Sequence, residues 1–139
     1  MRFFNSIYLA GGMTGITYEE SNKWRRMIED SLADGFNIVN PNSFHNPNLC
    51  GELTEKEERE VRNFDLNLLK KCDLVIANFN VPESIGTAQE LAIAYEHNIP
   101  VIGLNEDNIS IHSWLKECCE VIFTDANELI EYVINYYYL

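Results

Sequence analysis

The chain has 139 residues and a formal net charge of −12, with 22 acidic side chains against 10 basic ones. A chain of that length buries a core as one domain without disulfide staples, and it contains no apolar run near the roughly 20 residues that cross a bilayer. The excess negative charge works against binding a long phosphate backbone, which needs a basic face.

The expectation is one domain over residues 1–139 that is soluble and cytoplasmic, with neither a membrane nor a long nucleic acid as partner. The apolar run within Met1–Ile7 is too short for a signal peptide. One small anion in a local pocket remains compatible with the charge.

Ser6–Ala10 reads as a short apolar strand, and Gly11-Gly12-Met13-Thr14-Gly15 follows as a loop where backbone can approach a ligand closely. The glycines miss the G-x-G-x-x-G spacing of a dinucleotide fingerprint, and no Gly-Lys-Ser/Thr ending marks a P-loop. From Thr17 to Asp34 an amphipathic helix is expected, with Trp24, Met27, Ile28 and Leu32 on one face. Thr17 and Glu20 form its capping pattern, and Gly35 is its stop.

Phe36–Val39 gives a second strand that ends at Asn40-Pro41. The loop Pro41–Leu53 is rich in proline and asparagine, and its His45 reads as a solvated side chain. Thr54 with Glu57 starts another helix, with Val61, Phe64 and Leu68 on its apolar face and Asp65 beside them. The helix closes at Lys70-Lys71, where basic charge suits the dipole.

Leu74–Asn78 is a continuous apolar run, as expected of a central parallel strand. Just before it, Cys72 reads as a small core residue. The other cysteines, Cys50, Cys118 and Cys119, form no Cys-x-x-Cys, and the histidines lack ligand spacing, so no metal site is expected. After the loop Phe79–Ile85, a helix from Gly86 to His97 places Ala88, Leu91, Ala92 and Tyr95 on one stripe. Glu90 lies off that stripe in the first turns, where the dipole and free N–H groups favour a carboxylate or hold an anion.

Pro100–Leu104 is the fourth strand, Asn105–Ile111 a polar loop and Ile111–Cys119 a short helix. Val121–Phe123 is the last strand, and Asn127–Tyr136 the last helix, with Leu129, Ile130, Val133 and Ile134 inward. The terminal Tyr136-Tyr137-Tyr138 is expected to pack on the body or on a partner subunit. Strands alternating with helices imply an α/β fold: a single doubly wound domain with a five-stranded, mainly parallel sheet in flavodoxin/Rossmann-like order. The loops after Ala10, Val39 and Asn78 should gather at its carboxyl edge.

With those elements placed, the chain resembles the nucleoside 2-deoxyribosyltransferase superfamily, which includes 2'-deoxynucleoside 5'-monophosphate N-glycosidases. The resemblance is carried by Ile7-Tyr8-Leu9-Ala10-Gly11 with the glycine loop, by Asn63-Phe64-Asp65-Leu66 before Cys72–Ala77, and by Gly86-Thr87-Ala88-Gln89-Glu90-Leu91 before Pro100-Val101-Ile102. It implies that Glu90 is a nucleophile for the anomeric carbon, Asp65 a general acid toward the leaving base, and Tyr8 the residue that orients the carboxylate.

By the same resemblance, the substrate would meet Gly11, Gly12 and Met13 of the first loop and Ser84, Gly86 and Thr87 of the second. No cofactor or metal is implied. A homodimer or higher homo-oligomer is, with Asn108, His112 and Ser113 as candidates from a neighbouring subunit. Relatives that act on nucleosides tend to carry Asp six residues before the nucleophile, whereas monophosphate hydrolases tend to carry Ser; here the position is Ser84.

Glu83 beside it, a Phe79–Ser84 loop one residue longer than in those hydrolases, and a glycine loop without their arginine are departures. Ser84 together with Gly86 and Thr87 at a helix N-terminus still suits a 5'-phosphate, so hydrolysis of a (2'-deoxy)nucleoside 5'-monophosphate is the leading expectation. The alternatives are base exchange on a deoxynucleoside and a non-catalytic nucleotide-binding or sensing module. A lysine-decarboxylase-like phosphoribohydrolase would need Pro-Gly-Gly where Glu83-Ser84-Ile85 stands. The aromatic residues Phe3, Phe4, Phe44, Tyr95 and Trp114 are left between a base pocket and the core.

Overall fold

Every residue of β3 (Leu74–Asn78) is buried, because it pairs with β1 (Ser6–Gly11) on one side and β4 (Val101–Leu104) on the other. With β2 (Asn37–Val39) beyond β1 and β5 (Val121–Phe123) beyond β4, the sheet runs β2-β1-β3-β4-β5. All its pairings are parallel, so the sheet is wholly rather than mainly parallel, in the flavodoxin-like order. The computed structural model describes residues 6–13, 15–44 and 53–138; Phe3, Phe4, Thr14, His45 and Cys50 lie outside them. Among the described residues no helix is long and apolar enough to cross a membrane.

Side chains alternate across the sheet and build two cores. On one face Ile7, Leu9, Leu74, Ile76, Ile102 and Leu104 meet Trp24, Ile28 and Leu32 of α1 (Tyr18–Leu32) and Leu129, Val133 and Tyr137 of α5 (Ala126–Tyr137). On the other, Tyr8, Ala10, Val75, Ala77 and Val101 meet Leu69 of α2 (Glu55–Lys70), Leu91 and Ala94 of α3 (Ile85–Glu96) and Leu115 of α4 (Ser113–Glu117). Gly103 of β4 leaves room for this second core: a Cβ there would lie 2.9 Å from both Ile122 Cγ1 and Phe79 Cε2. Gly103→Ala is expected to lower stability by about 1–3 kcal/mol through overpacking. An unchanged Tm in a thermal melt would show that the two neighbours move aside freely.

The helix starts follow their caps. Thr54 Oγ1 accepts from Glu57 N at 3.2 Å while Glu57 Oε1 accepts from Thr54 N at 3.2 Å, a complete capping box. Thr17 Oγ1 accepts from Glu20 N at 3.1 Å at the start of α1.

Three helices differ from expectation in the face they bury. In α2 the buried side chains are Leu66 and Leu69, whereas Phe64 is exposed and rests on Phe44 at 5.6 Å between ring centroids. In α3 they are Thr87, Leu91 and Ala94, with Ala92 and Tyr95 turned outward. Apolar residues surround α3 on all sides, so their spacing fits more than one phase. In α5 Tyr137 replaces Ile134 as the inward residue. The tail packs on the body through Tyr137 and through Tyr138, whose ring lies 5.9 Å from Phe36.

Candidate active site

The corrected phases of α2 and α3 bring the polar residues together. The chain leaves β1 for α1 on one face of the sheet and leaves the adjacent β3 for α3 on the other, which opens a crevice at the carboxyl ends of the two strands. A cleft of about 190 Å³ lies there. Tyr8 and Gly11 reach it from β1, Arg25 from α1, Asp65 from α2 and Glu90 from α3, with Met13, Pro41 and Leu66 as its apolar wall.

Glu90 is partly buried, because it adjoins the inward stripe of Thr87, Leu91 and Ala94 rather than standing off it. Loss of water is the main cause that pushes its carboxyl up to about 7 from an ordinary 4.5. The Tyr8 hydroxyl opposes this by favouring the anion, the negative Asp65 adds to it, and the Arg25 cation opposes it.

Tyr8 is fully buried on the same sheet face. Burial, reinforced by the charges of Glu90 and Asp65, raises its hydroxyl far above neutrality, so it stays a proton donor. That hydroxyl faces Glu90 closely enough to affect its charge, yet no group among the described residues meets it at full hydrogen-bonding geometry. The contact acts as a dipole aimed at the carboxylate, with a donor still to give.

The start of α3 forms one end of the cleft. Ser84 is its N-cap: Oγ accepts from Thr87 N at 3.2 Å and from Thr87 Oγ1 at 3.1 Å. Those two bonds occupy its lone pairs and leave its own proton to donate outward. The N–H groups of Ile85 and Gly86 have no partner within the helix, as in any first turn, and a Cβ on Gly86 would meet nothing nearer than Ser84 Oγ at 3.9 Å. This end is therefore open and rich in donors.

The structure brings Tyr8, Gly11, Met13, Asp65, Ser84, Gly86, Thr87 and Glu90 to one cleft. Gly12 is instead part of the supporting wall. Its N–H donates to Asn80 Oδ1 at 3.2 Å and its carbonyl accepts from Asn80 Nδ2 at 3.4 Å, so the loops after β1 and β3 are tied together. Asn108, His112 and Ser113 lie after β4, away from this cleft: Asn108 has a left-handed φ of 49°, and His112 caps α4 through Nδ1, which accepts from Trp114 N at 3.1 Å. Phe44, Tyr95 and Trp114 neither line the cleft nor fill the core; all three are exposed.

Three polar cleft residues were not anticipated, Arg25, Arg62 and Gln89, nor were the apolar Pro41 and Leu66. Arg62 stands one turn before Asp65 on α2, donating from Nε to Gln89 Oε1 at 2.7 Å and from Nη1 to Asn63 Oδ1 at 3.1 Å. Arg25 continues the stripe Ser21, Ile28, Leu32 of α1, an i, i+4 and i+7 pattern that was readable as inward. Among the described residues no group of three His, Cys, Asp or Glu side chains is arranged to hold a metal ion.

A parallel α/β sheet with a carboxylate-floored cleft at its topological switch point defines the class: a small-molecule site of the doubly wound kind. Residues 7–130 match the nucleoside 2-deoxyribosyltransferase family, an enzyme family to which the chain therefore belongs. It is 32% identical over 111 residues to a Methanosarcina mazei protein provisionally named 2'-deoxynucleoside 5'-phosphate N-hydrolase 1, covering 78% of this chain and 65% of that one. The chain thus spans about two thirds of the length of that curated relative.

Among solved structures, a 2-deoxyribosyltransferase from Bacillus psychrosaccharolyticus shares the fold with a TM-score of 0.72 at 23% identity, over 91% of each chain. A CMP N-glycosidase from Clostridium botulinum shares it with a TM-score of 0.58 at 20% identity, over 95% of this chain and 100% of that one.

Proposed function

We propose that this protein hydrolyses the N-glycosidic bond of a (2'-deoxy)nucleoside 5'-monophosphate through a covalent glycosyl-Glu90 intermediate. The observation that carries this reading is the shared cleft of Glu90 and the donor-rich start of α3, so that a phosphate held at Ser84 and Gly86 leaves the sugar over the carboxylate. Arg62 supports it, since among the described residues two of its five N–H donors are used and it adds a cation to a cleft in a chain of net charge −12. It offsets the missing arginine of the glycine loop.

In the first step Glu90 attacks C1' while the C1'–N bond breaks, and its electron pair goes to the base, which takes a proton from Asp65. Tyr8 holds the attacking oxygen in place. In the second step water gives a proton to the Asp65 carboxylate and attacks C1', releasing the sugar phosphate and regenerating Glu90. A second base in place of water would complete a transfer, and Glu83 beside the cap is the feature that favours that alternative. The cleft, at about 190 Å³, is smaller than the roughly 300–1,000 Å³ of most complete ligand sites, which suits a second copy of the chain closing it with residues such as Asn108, His112 and Ser113.

Ser84→Asp tests the substrate class. Asp caps a helix as well as Ser does, so α3 should be retained, but a carboxylate facing phosphate is repelled by several kcal/mol at short range. Base release from a panel of deoxynucleosides and their 5'-monophosphates should show kcat/KM for the monophosphates falling at least about a hundredfold, with the nucleosides spared. Equal losses on both would detach Ser84 from the phosphate. Adding a free acceptor base to the same panel separates hydrolysis from transfer.

A further inference from the structure

Arg25 is the single charged side chain in the buried set among the described residues, at 1% exposure, and a buried charge is costly unless matched. Its position is fixed on three sides. Nη1 donates to the Ser21 carbonyl, Nη2 to the Gly11 carbonyl at 3.0 Å, and the guanidinium lies 4.7 Å from the Trp24 ring centroid. Trp24 is in turn wedged against Gly11, where a Cβ would lie 2.6 Å from its ring.

Carbonyls and a ring face do not neutralise a cation. The opposite charges that act on Arg25 are those of Glu90 and Asp65, which line the same cleft.

We propose that Arg25 is a positioning residue of this site: a guanidinium built into the wall by α1 that favours the charged form of the Glu90 carboxyl and fixes the Gly11 end of β1 beside it. The groups facing Glu90 are Tyr8 from β1, Asp65 and Arg62 from α2 and Arg25 from α1. Asp65 opposes ionisation and Arg62 is exposed, so Arg25 is the buried cation of the set. Without it, the fraction of Glu90 ready to attack falls at neutral pH and recovers at higher pH. The inference rests on the reading of Glu90 as nucleophile for its kinetic consequence, though not for the titration itself.

The test is the Glu90 titration, followed by carbon-13 NMR of glutamate-labelled protein and assigned by the signal lost in Glu90→Gln. Arg25→Gln should move the midpoint up by about one pH unit. Arg25→Lys, which keeps the charge, should move it back toward the unaltered protein. In kinetics the deficit of Arg25→Gln should be about tenfold at pH 6 and close as pH rises above 8; a merely structural role would lower activity equally at both. In the unaltered protein the Arg25 Nε–H resonance should shift with the same midpoint and stay flat in Glu90→Gln, which needs no change at Arg25. A Glu90 midpoint that is identical with and without the guanidinium, or an Nε–H signal indifferent to it, overturns the proposal. If the unaltered protein releases no base, the proposed function falls while the titration still reads Arg25.

Discussion

Glu90→Gln is expected to reduce base release by roughly a thousandfold or more while leaving the fold intact or more stable. The carboxyl titrates near 7 in the folded chain against 4.5 ordinarily, so the folded state holds its proton where the unfolded state has lost it. A raised carboxyl pKa costs stability: the cost begins above 4.5, grows until about 7 and then stays constant, at up to about 3 kcal/mol. Gln removes that cost, so the gain in Tm should appear at pH 8 and vanish at pH 4. In the unaltered protein the Glu90 carboxylate available for attack should grow with pH through about 7. Turnover retained in Glu90→Gln would exclude the covalent route, and mass spectrometry of an acid-quenched reaction should find the sugar phosphate on the peptide that holds Glu90.

Asp65→Asn carries the second large effect, a loss of roughly a hundredfold to ten-thousandfold in kcat/KM, the range of general acid catalysis. The loss should be confined to bases that need a proton to depart. An analogue whose leaving group departs unaided should be cleaved nearly as fast by the variant, and an equal deficit on both substrates would remove Asp65 from the acid role. Because the Asp65 charge helps to raise the Glu90 carboxyl, the Glu90 titration should also move below that of the unaltered protein. The two signatures are independent, since one reads the leaving group and the other the nucleophile.

The architecture was legible because its causes are local. β3 is covered on both faces and so is apolar throughout, and Thr17 and Thr54 announce their helices through side chains that bond their own first turns. Tyr8, Asp65, Ser84 and Glu90 were singled out in advance, and they do line one cleft. Helix phase was harder to read. In α3 the apolar residues lie all round, so Tyr95 and Ala92 fitted the inward stripe as well as Thr87 and Ala94, and only the packed sheet decides between them.

Arg25 was missed because an arginine is ordinarily taken for a solvated face. Its burial depends on the Gly11 carbonyl, which lies 14 residues away in sequence. Arg62 and Gln89 meet across two helices, a pairing that no spacing along the chain encodes.

Ser84 is the cap of α3 as well as the side chain at its donor-rich end. The residues that stabilise a helix at that position are few: Ser, Thr, Asp and Asn. The same short set contains both a neutral hydroxyl that welcomes a phosphate and a carboxylate that turns it away. On the proposed reading, a lineage drifting at this position under selection for folding alone is held to the very residues that would sort one substrate class from the other, so a change of substrate could arise by point mutation without passing through an unstable ancestor.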